Sequence, residues 1–149
     1  MRIWITAAVV AAGDQVAKFL IQAFLPENST LVVWPPYLSL THVQNPGGAF
    51  GIFAGWGTII VFLSILVVVT AILLTSKITA AGYMWEAGLI LGGTLGNLID
   101  RLRIGQVIDF IDFSFWPAFN IADIALTAGV LLTLWHVVKN ERRRGADCS

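Results

Sequence analysis

The stretch TIIVFLSILVVVTAILLT, Thr58 to Thr75, decides the fold: it carries no charge and is nearly long enough by itself to cross a bilayer. About 20 mostly apolar residues are needed to span the hydrocarbon core. It lies inside a longer region, Asn28 to Ser76, that contains no Asp, Glu, Lys or Arg. Outward from it, three further spans run approximately over Ile3–Phe24, Tyr83–Ile99 and Ile121–Val138, the last two carrying polar residues at one end. The composition agrees, because 57% hydrophobic and only 12% charged residues, with a mean hydropathy of +0.80, put this 149-residue chain outside the range of soluble domains. The expected class is an all-α polytopic membrane protein of four transmembrane helices. No repeat or domain boundary divides residues 1–149. A formal net charge of zero gives no ground for a nucleic-acid partner.

Four spans put both termini on one side, and Lys and Arg choose which. Arg2, Lys77, Lys139, Arg142, Arg143 and Arg144 flank one set of span ends, whereas Arg101 and Arg103 alone flank the other. The positive-inside rule makes the termini and the loop around Lys77 cytoplasmic. Trp4, Trp85 and Trp135 then fall at the inner ends and Trp34, Trp56 and Trp116 at the outer ends, as two interfacial belts require. The N-terminal apolar run resembles an export signal, yet it continues through Asp14 and Lys18 for a full membrane thickness and is read as a retained helix. Cys148, in the charged tail, offers neither a disulfide nor a thiolate site.

Between the first two spans, Leu31–Trp34 and Tyr37–Gln44 flank a Pro35-Pro36 turn and read as two short strands at the outer surface. Phe50–Trp56, Gly-rich and aromatic, reads as an interfacial segment able to move over a site.

Polar residues in apolar context carry the chemistry. Asp14 and Lys18, four apart, share a helix face and can neutralise each other; the pair either orients the helix or reaches a site. Gly88, Gly92 and Gly96 form the small-residue face of a tightly packed helix. Beside it run Gly93, Asn97 and Arg101, with Asp100 adjacent. Either Asn97 bonds a neighbouring helix and Asp100 pairs with Arg101 or Arg103, or these groups hold a peptide or headgroup. Asn120 and Asp123 have the spacing of an N-cap with an acid at the third helical position. Asp109 and Asp112 can be solvated loop acids. A carboxyl pair, Asp109 and Asp123, beside a membrane and without a ligand cluster nearby, nevertheless suggests a water-activating acid/base dyad. Three rivals stand against it. A Ser/Lys hydrolase finds no motif at Ser39 or Ser64. A transporter would need a polar trail through the uncharged second span. A non-catalytic helical scaffold rests on the glycine face.

Five ordered segments, DQVAK from Asp14, NPGGAF from Asn45, GGTLGNLIDR from Gly92, VIDF from Val107 and FNIAD from Phe119, together resemble the bacterial lipoprotein signal peptidases (signal peptidase II). The resemblance covers nearly the whole chain. Ala17 and Gly48 depart from the commoner pattern without removing a polar group. The resemblance implies an aspartic endopeptidase that removes signal peptides from prolipoproteins on the N-terminal side of a diacylglyceryl-cysteine. It implies Asp109 and Asp123 as the catalytic pair, Asn45, Gly47, Asn97, Arg101 and Asn120 around the substrate, Asp14 and Lys18 as a supporting pair, and a small extracytoplasmic β-sheet between helices 1 and 2. It further implies a multi-pass protein of the bacterial inner membrane with its active site at the outer face. The expected partners are diacylglyceryl-modified prolipoproteins, membrane lipid and globomycin-type inhibitors. No nucleic acid, metal or cofactor is expected, and the chain is expected to act as a monomer.

Overall fold

The computed structural model describes residues 1–47 and 55–147, with side chains as far as residue 143. Gly48, most of the segment 50–56 and Cys148 lie outside the described residues. In chain order the elements are α1 (Arg2–Phe24), β1 (Thr30–Trp34), β2 (Leu38–Asn45), α2 (Gly57–Leu73), α3 (Thr75–Ala81), α4 (Met84–Ile104), β3 (Val107–Phe113), β4 (Trp116–Phe119) and α5 (Ile121–Asp147).

Helix α4 is the centre of the bundle and packs against α1, α5 and α2. Its glycines make this possible. A Cβ on Gly88 would lie 2.6 Å from the Thr6 Cβ, and one on Gly92 would lie 2.7 Å from the Val10 Cβ and 2.8 Å from the Ala7 carbonyl oxygen, so α1 rides directly on the α4 backbone. Gly93, which the sequence places on the polar stripe, is also a packing residue: its Cβ would lie 2.4 Å from the Ala122 carbonyl oxygen in α5. Ile3, Ala7 and Leu91 form the buried apolar cluster between α1 and α4. Most other large apolar side chains point outward, and α2 buries none of its residues.

Among the described residues, two helices, Arg2–Phe24 and Ile121–Arg143, are long and apolar enough to cross a membrane. A third qualifies if α2 and α3 count as one span, although they meet at 68°. The expected loop around Lys77 is therefore helical. At the bend the Thr75 hydroxyl donates to the Ala71 carbonyl at 2.7 Å. The four expected spans are thus not all found on this measure, because α4 includes Glu86, Asp100, Arg101 and Arg103.

The sheet differs from expectation. It has four antiparallel strands in the order β1-β2-β3-β4, and half of it lies between α4 and α5 rather than between the first two helices. Asp109 and Asp112, read as loop acids, are strand residues paired with Val43 and Ser39. The first four residues of β3 are all buried, so the strand lacks the inside–outside alternation by which a half-exposed strand is recognised. The sheet is tied to the end of α1 by His42, whose Nδ1 donates to the Leu25 carbonyl at 2.8 Å.

Because Gly92 has no room for a side chain, Gly92→Leu should destabilise the protein by at least the ~1–3 kcal/mol typical of overpacking, measured as a lower Tm in detergent. An unchanged melting profile would show that α1 does not ride on this face.

Candidate active site

Asp109 and Asp123 arrive from opposite directions. After α4 the chain reverses at Gly105, whose φ of 77° is one that residues with a Cβ rarely adopt, and enters β3 with Asp109 as its third residue. Asp123 lies in the first turn of α5, held by the expected capping box: its N–H donates to the Asn120 side-chain oxygen at 2.9 Å, and its Oδ2 accepts the Asn120 N–H at 3.3 Å.

Three asparagine amides face the two carboxylates, and each is oriented by a partner that can only donate. Lys18 Nζ donates to Asn97 Oδ1 at 3.0 Å, which turns the Asn97 NH2 towards Asp123 Oδ1 at 2.7 Å. The Asp123 N–H takes the Asn120 oxygen, so the Asn120 NH2 points to Asp109 Oδ1 at 2.7 Å and to Asn97 Oδ1 at 3.1 Å. The Gly47 N–H donates to Asn45 Oδ1 at 2.9 Å, leaving the Asn45 NH2 for Asp109 Oδ2 at 2.8 Å. Both oxygens of each acid are therefore acceptors.

Behind the amides lies a buried charged cluster. Lys18 Nζ is 2.7 Å from Asp14 and 2.7 Å from Asp100, with all three side chains enclosed. Asp14 also accepts the Ala122 N–H at 2.9 Å, and Asp100 the Ile108 N–H at 3.3 Å. Gln15 donates to Asp100 at 2.9 Å and to the Gly96 carbonyl at 3.1 Å. Of the two readings left open for this stripe, the pairing of Asp100 with Arg101 or Arg103 is not found: Asp100 faces Lys18, Arg103 donates to Gln22, and Arg101 reaches back to the Asn97 carbonyl at 3.5 Å.

Asp109, Asp123, Asn45, Asn97 and Arg101 line one cavity of about 560 Å³. Its other walls are β4, with Trp116 and Phe119, and an apolar strip of α5 from Ile124 to Leu131. Burial pushes the Asp109 carboxyl up to about 6; the Asn45 amide opposes the rise, the negative charge of Asp123 adds to it, and the Asn120 amide opposes it. Both carboxyls open onto one largely apolar cavity, where each can act on a water or a carbonyl placed there.

A family model described as signal peptidase (SPase) II matches residues 6–139. The chain belongs to the signal peptidase II family. It is 41% identical to the lipoprotein signal peptidase of Desulfitobacterium hafniense, over 99% of this chain and 100% of the relative. To that of Moorella thermoacetica it is 36% identical, over 95% of each. Two solved structures, bacterial membrane enzymes determined by the in meso method at 2.3 and 1.9 Å, are similar to it with TM-scores of 0.85 and 0.80. They are 32% and 33% identical, over 92% and 91% of this chain and 87% and 91% of theirs. Membership in the signal peptidase II family makes the chain a membrane-embedded peptidase.

Within this family member the residues expected at the site come together. Asp109, Asp123, Asn45, Asn97 and Arg101 face the cavity, while Asn120, Lys18, Asp14 and Gly47 stand behind and orient them. The sequence reading missed Gln15, although it sits in the quoted DQVAK segment between Asp14 and Lys18, and it gave the β4 wall no role.

If the Asn45 amide restrains Asp109 as its geometry implies, site-resolved carboxyl titration should find Asp109 near 6 in the parent protein. In Asn45→Ala the value should be higher, since a donor that stabilises the ionised form has gone. A lower value in that variant would reject the assignment.

Proposed function

We propose that this chain is an aspartic endopeptidase that cleaves the signal peptides of prolipoproteins on the N-terminal side of a diacylglyceryl-modified cysteine. The observation that carries the reading is the convergence of Asp109 and Asp123 on one cavity, from strand β3 and from the first turn of α5, each acid held by oriented amide donors. In this reading Asp123 is the ionised member, supported by the N-terminus of α5, and Asp109 holds the shared proton. Asp123 takes a proton from water as the oxygen attacks the scissile carbonyl carbon, and Asp109 donates to the carbonyl oxygen. Collapse of the tetrahedral species returns a proton from Asp123 to the leaving nitrogen and restores that of Asp109, with no covalent intermediate. The polar cavity end receives the peptide, and the apolar strip along α5 receives the signal segment or acyl chains. A globomycin-type cyclic peptide would compete for the same cavity.

The same reading counts four spans, with α2 and α3 as one bent span and α4 as the third. Two of the acids that lower the hydropathy of α4 have partners within the protein, Asp100 facing Lys18 at 2.7 Å and Glu86 facing the His136 imidazole at 2.5 Å. All six tryptophans are exposed, as interfacial belts require. Both termini are then cytoplasmic in a bacterial inner-membrane monomer, and the sheet and site face outward. A reporter fused after Arg144 should be active in the cytoplasm, and one inserted between Glu27 and Asn28 on the outer side; the opposite pattern would remove the outward-facing site.

The decisive assay is cleavage of a lipidated precursor peptide in detergent. Asp109→Asn and Asp123→Asn should each lose at least the roughly 10²- to 10⁴-fold expected when a general acid or base is removed. The double variant should be little worse than the poorer single one. Asp112→Asn, which keeps an acceptor for the Thr41 hydroxyl, should remain near the parent rate. Cleavage by a folded Asp109 or Asp123 variant within about tenfold of the parent would sink the assignment.

A further inference from the structure

Asp14 and Asp100 stand in the same relation to the two acids of the site. Asp14 accepts the backbone N–H of Ala122, the residue before Asp123, and Asp100 accepts that of Ile108, the residue before Asp109. One ammonium joins them, since Lys18 Nζ lies 2.7 Å from each carboxylate. All three side chains are buried in a bundle whose outer surface is apolar, so none can exchange its partners for bulk solvent. The same ammonium also turns the Asn97 amide towards Asp123.

We propose that Asp14, Lys18 and Asp100 are positioning residues, a charged bolt that fixes the start of α5 against β3 and so sets the placement of Asp123 relative to Asp109. This rests on the dyad reading above. The two acids are carried by elements of different kinds, and Asn120, which bonds Asp109, travels with α5 rather than with β3. The bolt supplies an independent reference: α1 brings Asp14 and Lys18, α4 brings Asp100, and each anion grips the backbone one residue ahead of a dyad acid. Its direction is fixed because an ammonium donates to both carboxylates while each carboxylate accepts a main-chain N–H. Misplacing reacting groups by about 1 Å can cost about 10²-fold in rate, which is the scale on which such a bolt matters.

The test uses the full-length protein in detergent with the lipidated precursor peptide. Asp14→Asn and Asp100→Asn retain an acceptor for Ala122 and Ile108 but lose the ionic link to Lys18. Each should lower kcat about 10- to 10²-fold with KM changed by less than about threefold. The double variant should lose no more than the worse single variant, because both act through Lys18. Gly88→Ala, whose Cβ would meet Thr6 at the opposite end of α4, measures plain destabilisation and should lower Tm while leaving kcat unchanged. Losses that multiply in the double variant, or a lowered Tm with kcat intact in both single variants, would overturn the proposal. Should Asp100→Asn fail to accumulate, combined Lys18→Met, Asp14→Asn and Asp100→Asn removes the whole charged set together; retention of the parent kcat in that triple variant would equally overturn it. Asp109→Asn and Asp123→Asn in the same assay keep the two questions apart, since their activity would reject the dyad itself, whereas additive bolt variants with inactive dyad variants would reject the bolt alone.

Discussion

The buried Lys18 ammonium is the constraint from which the polar interior follows. A charge withdrawn from water costs several kcal/mol unless its partners are placed well, and leaving one member of a buried pair unmatched costs about 3–5 kcal/mol. Lys18 answers this with two carboxylates and one amide oxygen, all within 3.0 Å. Two acids on one base leave an excess negative charge. Asp14 directs its second oxygen to the Ala122 N–H in the first turn of α5, where the helix dipole is positive, so the excess lies against a compensating field. The cluster therefore joins α1, α4 and α5 at one level and fixes the direction of approach of each.

Close packing and this polar cluster depend on each other. A Cβ at Gly96 would lie 2.7 Å from Asp14 Oδ2 and 3.0 Å from the Ala122 Cβ, so the missing side chain is what lets α1 deliver its carboxylate to the start of α5. Gly93 likewise admits the Ala122 carbonyl. The glycine pattern thus serves the site as well as the bundle: it brings three backbones near enough for short polar side chains to bond across them. Longer side chains would reach across a wider gap, but with more rotatable bonds and less definite geometry.

Much of this was legible in the sequence. The apolar runs mark α1, α2 and α5, the i,i+4 spacing marks the Asp14–Lys18 pair, and the Asn120–Asp123 spacing marks the capping box that the structure contains. The rest was hidden for physical reasons. Strand β3 is buried at its start and so has no alternation to read, and β4 is short and includes Pro117. The partner of Asp100 could not be inferred locally: Arg101 and Arg103 are neighbours in sequence, but only a long-range fold brings Lys18 beside it. The break between α2 and α3 falls in a stretch with neither Pro nor Gly from Thr58 to Ala81 to mark it.

The choice of asparagine around the two acids follows from the same logic. A carboxylate in place of any of these amides would add negative charge beside two acids, and a hydroxyl could rotate its single proton away. An amide offers one face that only accepts and another that only donates, so a donor-only neighbour determines both. Lys18, the Asp123 N–H and the Gly47 N–H each take the accepting face, and the donating faces are left for Asp123 and Asp109. The orientation of every amide is consequently set by charge or main chain and not by the acid it serves. The site can then change its protonation without its donors turning away, which is the condition for a preorganised environment rather than one that must rearrange as charge moves.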